Sequence, residues 1–181
     1  MKIAVFLAEG FEEIEAVAII DVLRRGGIEI DIVSIEKDKY IKGSHDICIV
    51  ADKCFGEIDK KSYDGIVLPG GMPGTTRLEN YQPLKELIVD YNEQEKLIGA
   101  ICAAPKILGN MGLLKNREAI CFPGFEEELE GARISKESIA VSGHIITGKG
   151  AGKAIEFALA VLGKVKGEEV AKQLQKKLIA D

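Results

Sequence analysis

The chain has 181 residues, of which 46% are hydrophobic, and a formal net charge of −5 at neutral pH. That length predicts one domain spanning 1–181 with a core that needs no disulfide or metal staple, and the acidic balance argues against nucleic acid or an anionic membrane surface as a partner. No run approaches the roughly 20 apolar residues of a membrane span, and the segment Ile3–Ala8 is too short for a secretory leader, so the expected location is the cytoplasm.

In chain order, Lys2–Ala8 is rich in Ile, Val and Phe and reads as a central strand covered on both faces. Glu12–Arg25 carries Ile14, Val17, Ala18 and Val22 at helical spacing and stops at Gly26-Gly27. Ile28–Ile35 reads as a second strand and completes a βαβ unit. The pieces around Tyr40-Ile41 and Ile47–Val50 read as small added strands or a hairpin. Gly65–Leu68 is a short buried strand that ends in the glycine loop Pro69–Gly74. Leu78–Gln94 reads as one helix, Leu97–Ile101 as a buried strand, and Ala103–Met111 as the helix after it. Ala119–Phe122 suggests a further strand, followed by a solvated acidic patch at Glu126–Glu128 and Glu130. Ile139–Ser142 and Ile145–Thr147 read as two strands around Gly143-His144, and Ala151–Leu178 as helix, interrupted or bent at Gly163 and Gly167. Alternating strands and helices predict a doubly wound α/β sandwich with a mostly parallel sheet.

The four cysteines, Cys48, Cys54, Cys102 and Cys121, form no C-x-x-C pair and read as separate thiols. His45 and His144 stand apart in sequence from any cysteine or acidic cluster that would complete a site, so no metal is expected. Thr147–Lys153 has the flavour of a phosphate loop, but the first glycine of that pattern is missing and Ala154 stands where Ser or Thr would hold magnesium. No G-x-G-x-x-G follows the first strand. No cofactor is therefore expected.

Cys102 is the candidate reactive centre, because a thiol at a strand-to-helix turn lies where open α/β sheets bind ligands. The helix after it would favour the thiolate. Three loops at strand carboxyl ends are expected to converge there. The first offers Glu15, with Glu12 and Glu13 beside it at the helix amino end. The second offers backbone N–H groups at Gly70 and Gly71, which no side chain obstructs. The third offers the thiol itself.

Ala8–Glu15, Asp21–Gly27, Leu68–Gly71, Ala100–Pro105 and Glu156–Leu159 resemble, in order and over nearly the whole chain, the ThiJ/PfpI superfamily and its Parkinsonism-associated deglycase branch. The resemblance implies a flavodoxin-like sandwich and a homodimer. It implies a low-pKa nucleophile at Cys102 on a strained elbow, and a protonated Glu15 that hydrogen-bonds the thiol. It also implies an oxyanion site at the N–H groups near Gly71 and Ala103, and an anion-holding arginine at Arg25. Two departures matter. Ala103 stands where the protease branch has histidine, which disfavours a cysteine peptidase. Phe122 stands where the deglycase branch commonly has a histidine near the site, which leaves acid/base work to Glu15 alone.

The expected function is therefore a cysteine-dependent glyoxalase or protein deglycase acting on small α-oxoaldehydes or their adducts on proteins. The alternative is a redox-sensing stress protein or chaperone that uses oxidation of Cys102. A thiamine-related role has no phosphate or thiazole site to support it.

Overall fold

The computed structural model describes residues 1–180. In chain order its elements are β1 (Lys2–Leu7), α1 (Glu13–Arg25), β2 (Glu29–Ser34), β3 (Tyr40–Lys42), β4 (Cys48–Val50), β5 (Lys53–Cys54), β6 (Gly65–Leu68), α2 (Gly74–Asn80), α3 (Gln82–Glu93) and β7 (Leu97–Ile101). There follow α4 (Pro105–Asn110), β8 (Glu118–Ala119), β9 (Arg133–Ile134), β10 (Ile139–Ser142), β11 (Ile145–Gly148), α5 (Ala154–Lys166) and α6 (Glu168–Leu178).

Seven strands form the main sheet in the order β10-β11-β7-β6-β1-β2-β5. All its pairings are parallel except β10 with β11. The expected three-layer sandwich is thus found, and β1 shows why it forms. Ile3, Val5 and Leu7 face one core with Leu23, Phe157 and Leu162, while Ala4, Phe6 and Ala8 face the other with Leu84, Ile88 and Ile107. Successive side chains of a strand point to opposite faces, so a strand apolar at every position must be covered on both. The small hairpin expected near Tyr40 is the antiparallel pair β3–β4.

Three expectations are corrected. The single helix over Leu78–Gln94 is two, α2 and α3, separated at Tyr81, whose backbone is extended. Pro83 explains the break: it lacks an N–H, and its ring would clash with the carbonyl four residues back in a continuous helix. The strand at Ala119–Phe122 is only the two-residue β8, paired with β9 outside the main sheet. The carboxyl-terminal helix breaks at Gly167 alone, and Gly163 lies inside α5.

Candidate active site

β1, β6 and β7 lie side by side, and their carboxyl ends bring the three expected loops together. The loops interlock through backbone. The Glu12 N–H donates to the Gly70 carbonyl at 2.9 Å, and the Gly74 N–H donates to the Gly10 carbonyl at 3.2 Å. Gly71 has φ +93°, and a Cβ there would stand 2.2 Å from the Glu12 nitrogen, so no side chain fits between the loops.

Cys102 follows β7 directly with φ +64°, a left-handed conformation that costs a non-glycine residue about 1–2 kcal/mol. Two hydrogen bonds hold it there. Its N–H donates to the Gly148 carbonyl at 2.9 Å, and its carbonyl accepts from the Phe122 N–H at 2.8 Å. The elbow turns the thiol toward the loops, where it meets the backbone N–H groups of Ala103 and Gly71 and the side chain of Glu15.

Glu15 sits in the first turn of α1 and is fully buried. One carboxyl oxygen, Oε2, accepts the Gly70 N–H at 2.7 Å. The other, Oε1, is buried with no partner within the described residues. Burial pushes this carboxyl up to about 7, against the Gly70 N–H and the Cys102 thiol, which pull it down. The group is therefore poised to take up or release a proton near neutrality.

The thiol departs from expectation. Burial pushes Cys102 up to about 12, with the Glu15 charge acting in the same direction and the Ala103 and Gly71 N–H groups opposing. The helix expected to favour the thiolate is only the six-residue α4, starting at Pro105. Its field is outweighed by the loss of water around the sulfur. Cys102 and Glu15 compete for one negative charge.

Cys102, Glu15, Gly70, Gly71 and Ala103 are thus brought together. Arg25 is not. It lies in the last turn of α1 and pairs with Asp21. Ten residues of helix separate it from Glu15, about 15 Å at ~1.5 Å per residue. It cannot hold an anion at the Cys102 of its own chain.

Two further residues line the thiol. β11 runs parallel to β7, so its carboxyl end opens beside Cys102. A Cβ on Gly150 would lie 4.0 Å from Cys102 Sγ and 3.2 Å from Phe122 Cδ2. The signal for Gly150 was a glycine just past a strand end, masked because the same stretch first suggests a phosphate loop. Phe122 lies on the same side of Gly150 as the thiol, and its N–H donates to the Cys102 carbonyl.

His45 was expected to stand apart from acidic residues, and the structure corrects this. The loop between β3 and β4 brings its Nδ1 to 2.9 Å from Glu13 Oε2 and 3.7 Å from Glu12 Oε2. These three are the residues that could hold a metal ion by proximity. Both oxygens of the buried Glu13 already accept hydrogen bonds, Oε1 from the His45 N–H at 2.6 Å and Oε2 from Ser44 Oγ at 3.2 Å. Bonds from His45 hold the Glu13 carboxyl down at about 2 despite its burial, and the cluster is complete as an ion pair. His144 is remote, its Nε2 3.0 Å from Asn92 Oδ1. A separate cavity of about 690 Å³, lined by Cys54, Phe55, Arg77 and Tyr81 among others, excludes Cys102 and Glu15. Among the described residues no helix is long and apolar enough to cross a membrane.

The chain matches the DJ-1/PfpI family over residues 1–164. It is 36% identical over 180 residues to protein DJ-1 homolog B of Arabidopsis thaliana, covering 98% of this chain and 41% of that protein. The chain thus spans less than half the length of that relative. It is 34% identical to a Caenorhabditis elegans protein named glutathione-independent glyoxalase DJR-1.2, covering 94% of this chain and 91% of that one. The solved structure of oxidized Toxoplasma gondii DJ-1 superposes with a TM-score of 0.94 at 37% identity, covering 98% of this chain and 97% of that one. On the match across its sheet, its elbow and its three site loops, this chain belongs to the DJ-1/PfpI family.

Proposed function

We propose that the protein is a cofactor-independent glyoxalase, acting on small α-oxoaldehydes such as methylglyoxal and glyoxal or on their adducts with protein side chains. The observation that carries this reading is the pairing, on one strained elbow, of the Cys102 thiol with the buried Glu15 carboxyl whose Oε1 lacks a partner. A relative of nearly the same length bears the name glutathione-independent glyoxalase, which supports it.

The chemistry runs on those two groups. Glu15 as carboxylate takes the thiol proton while Cys102 Sγ attacks the aldehyde carbon. The oxygen that becomes negative rests on the Gly71 and Ala103 N–H groups, with the Gly70 N–H holding Glu15 in place. Glu15 returns the proton to give a hemithioacetal. It then removes the proton from the former aldehyde carbon and delivers it to the neighbouring one through an enediol. The first carbon is oxidised to a thioester and the second reduced to an alcohol, so no external redox partner enters. Water cleaves the thioester, Cys102 recovers its proton, and methylglyoxal plus water has become lactate. Purified protein without glutathione is expected to form lactate from methylglyoxal, and an unchanged rate in Cys102→Ser would overturn the proposal.

A second reading is oxidation of Cys102 to a sulfinate in a stress response, favoured by the same unpartnered Oε1, which as a carboxylic acid can donate to a sulfinate oxygen. Peroxide titration with intact mass tests it: two oxygens gained selectively at Cys102, with negligible aldehyde turnover, would favour this reading over the first. On either reading we place the protein in the cytoplasm as a homodimer. Ile14 and Val17 on α1, 61% and 51% exposed, offer an apolar face for pairing, and light scattering reads the mass.

A further inference from the structure

Phe122 spends an aromatic ring on the surface. It is 47% exposed and belongs to neither core cluster, although its chain neighbour Cys121 is fully buried. Its place is nonetheless fixed, because its N–H is bonded to the Cys102 carbonyl and its own carbonyl accepts the Phe125 N–H at 3.1 Å. The ring thus stands beside the reactive elbow and cannot drift from it with the backbone.

The space between ring and thiol is set by Gly150. A carbon placed where its Cβ would be lies 3.2 Å from Phe122 Cδ2, 3.8 Å from Phe122 Cε2 and 4.0 Å from Cys102 Sγ. The bare face of Gly150 therefore looks toward both the aromatic ring and the sulfur, with no side chain to fill the gap between them. A group carried by a carbon bonded to Sγ can lie across this bare face of Gly150, next to the Phe122 ring. Covering an exposed aromatic face with apolar atoms is favourable, and a hydroxyl or water there gains nothing comparable.

We infer that Phe122 is a specificity-determining contact, and that the site takes 2-oxoaldehydes bearing an alkyl or aryl substituent in preference to glyoxal, the substituent lying over Gly150 against the Phe122 ring. The substrate class rests on the glyoxalase reading above, whereas the contact itself does not. An apolar contact of this size discriminates by about tenfold or more.

Bromoacetone and 2-bromoacetophenone alkylate thiols at the same kind of carbon and differ in methyl against phenyl. The ratio of their rates at Cys102, divided by the ratio for N-acetylcysteine, isolates the contribution of the site without any turnover. Phenyl is expected to be favoured by about tenfold. The preference should vanish in Phe122→Ala and persist in part in Phe122→Leu, which keeps an apolar side chain. In parallel, kcat/KM for phenylglyoxal, giving mandelate, relative to glyoxal should fall about tenfold in Phe122→Ala. A normalised ratio of one in the wild type, or a ratio unmoved by Phe122→Ala, overturns the inference even if both aldehydes are consumed. A shifted ratio with no hydroxy acid formed from any aldehyde overturns the glyoxalase reading and leaves the Phe122 contact standing.

Discussion

Replacing Glu15 by Gln tests the buried carboxyl at the centre of the site. Its folded-state pKa is raised from 4.5 to about 7 by burial. Below 4.5 the carboxyl is neutral in both folded and unfolded chains, and its contribution to stability is fully present. As pH rises from 4.5 the unfolded chain ionises while the folded one resists, so stability is lost until the folded group also ionises near 7. At about 1.4 kcal/mol per pH unit, the loss amounts to about 3 kcal/mol. Gln keeps an acceptor for the Gly70 N–H and never ionises, so its stability escapes this loss. Urea unfolding of both proteins from pH 4 to 8 measures the effect, and that range stops short of cysteine ionisation in the unfolded chain. The stability of Glu15→Gln relative to wild type should grow by about 3 kcal/mol between pH 4.5 and 8. Two parallel profiles would refute the claim that Glu15 is desolvated.

Gly70 lies between the two reactive groups, and a Cβ there would stand 2.7 Å from Cys102 Cβ and 2.9 Å from Glu15 Oε2. Gly70→Ala should therefore cost about 1–3 kcal/mol in stability by overpacking and about 100-fold in lactate formation by displacing the pair; a variant with wild-type kinetics would mean the pair is not held by this contact. Cys102→Gly and Cys102→Ala should both lack activity, but glycine accepts φ +64° without strain. The glycine variant should be the more stable of the two by about 1 kcal/mol in urea unfolding, and equal stabilities would show that the elbow stores no strain.

What the sequence made legible was whatever local pattern or chain order dictates. β1 could be read because apolar residues at every position leave a strand no face for water. The meeting of three loops could be read because parallel strands bring their carboxyl ends to one edge. The break between α2 and α3 does have a local signal in Pro83, but the helical rhythm of Leu84, Leu87, Ile88 and Tyr91 outweighs it and draws Leu78 into the same stripe. The two-residue strands β5, β8 and β9 are too short to show any period. The ion pair of Glu13 with His45 spans 32 positions, so no local signal could announce it. Arg25 fails for a different reason: its resemblance to a family position says nothing of distance, and the helix between it and Glu15 sets that distance.

The thiol shows the same limit in its chemistry. Sequence places Cys102 before a helix, and a helix field alone predicts a thiolate already formed at neutral pH. Desolvation depends on packing from distant segments, and here it acts against the helix and pushes the thiol up, with the Glu15 charge in the same direction. With burial and the Glu15 charge both pushing the thiol up, the proposed reaction passes its proton to Glu15 as it attacks. The two modes of activation predict different pH profiles. A standing thiolate with a depressed pKa gives kcat/KM that is flat from pH 6 to 8. Activation by Glu15 gives kcat/KM that rises as the carboxyl ionises, with a midpoint at about 7, and then levels. Glu15→Gln should abolish the rise along with most of the rate, and a flat wild-type profile would show that the helix and the backbone N–H groups activate Cys102 without the carboxylate.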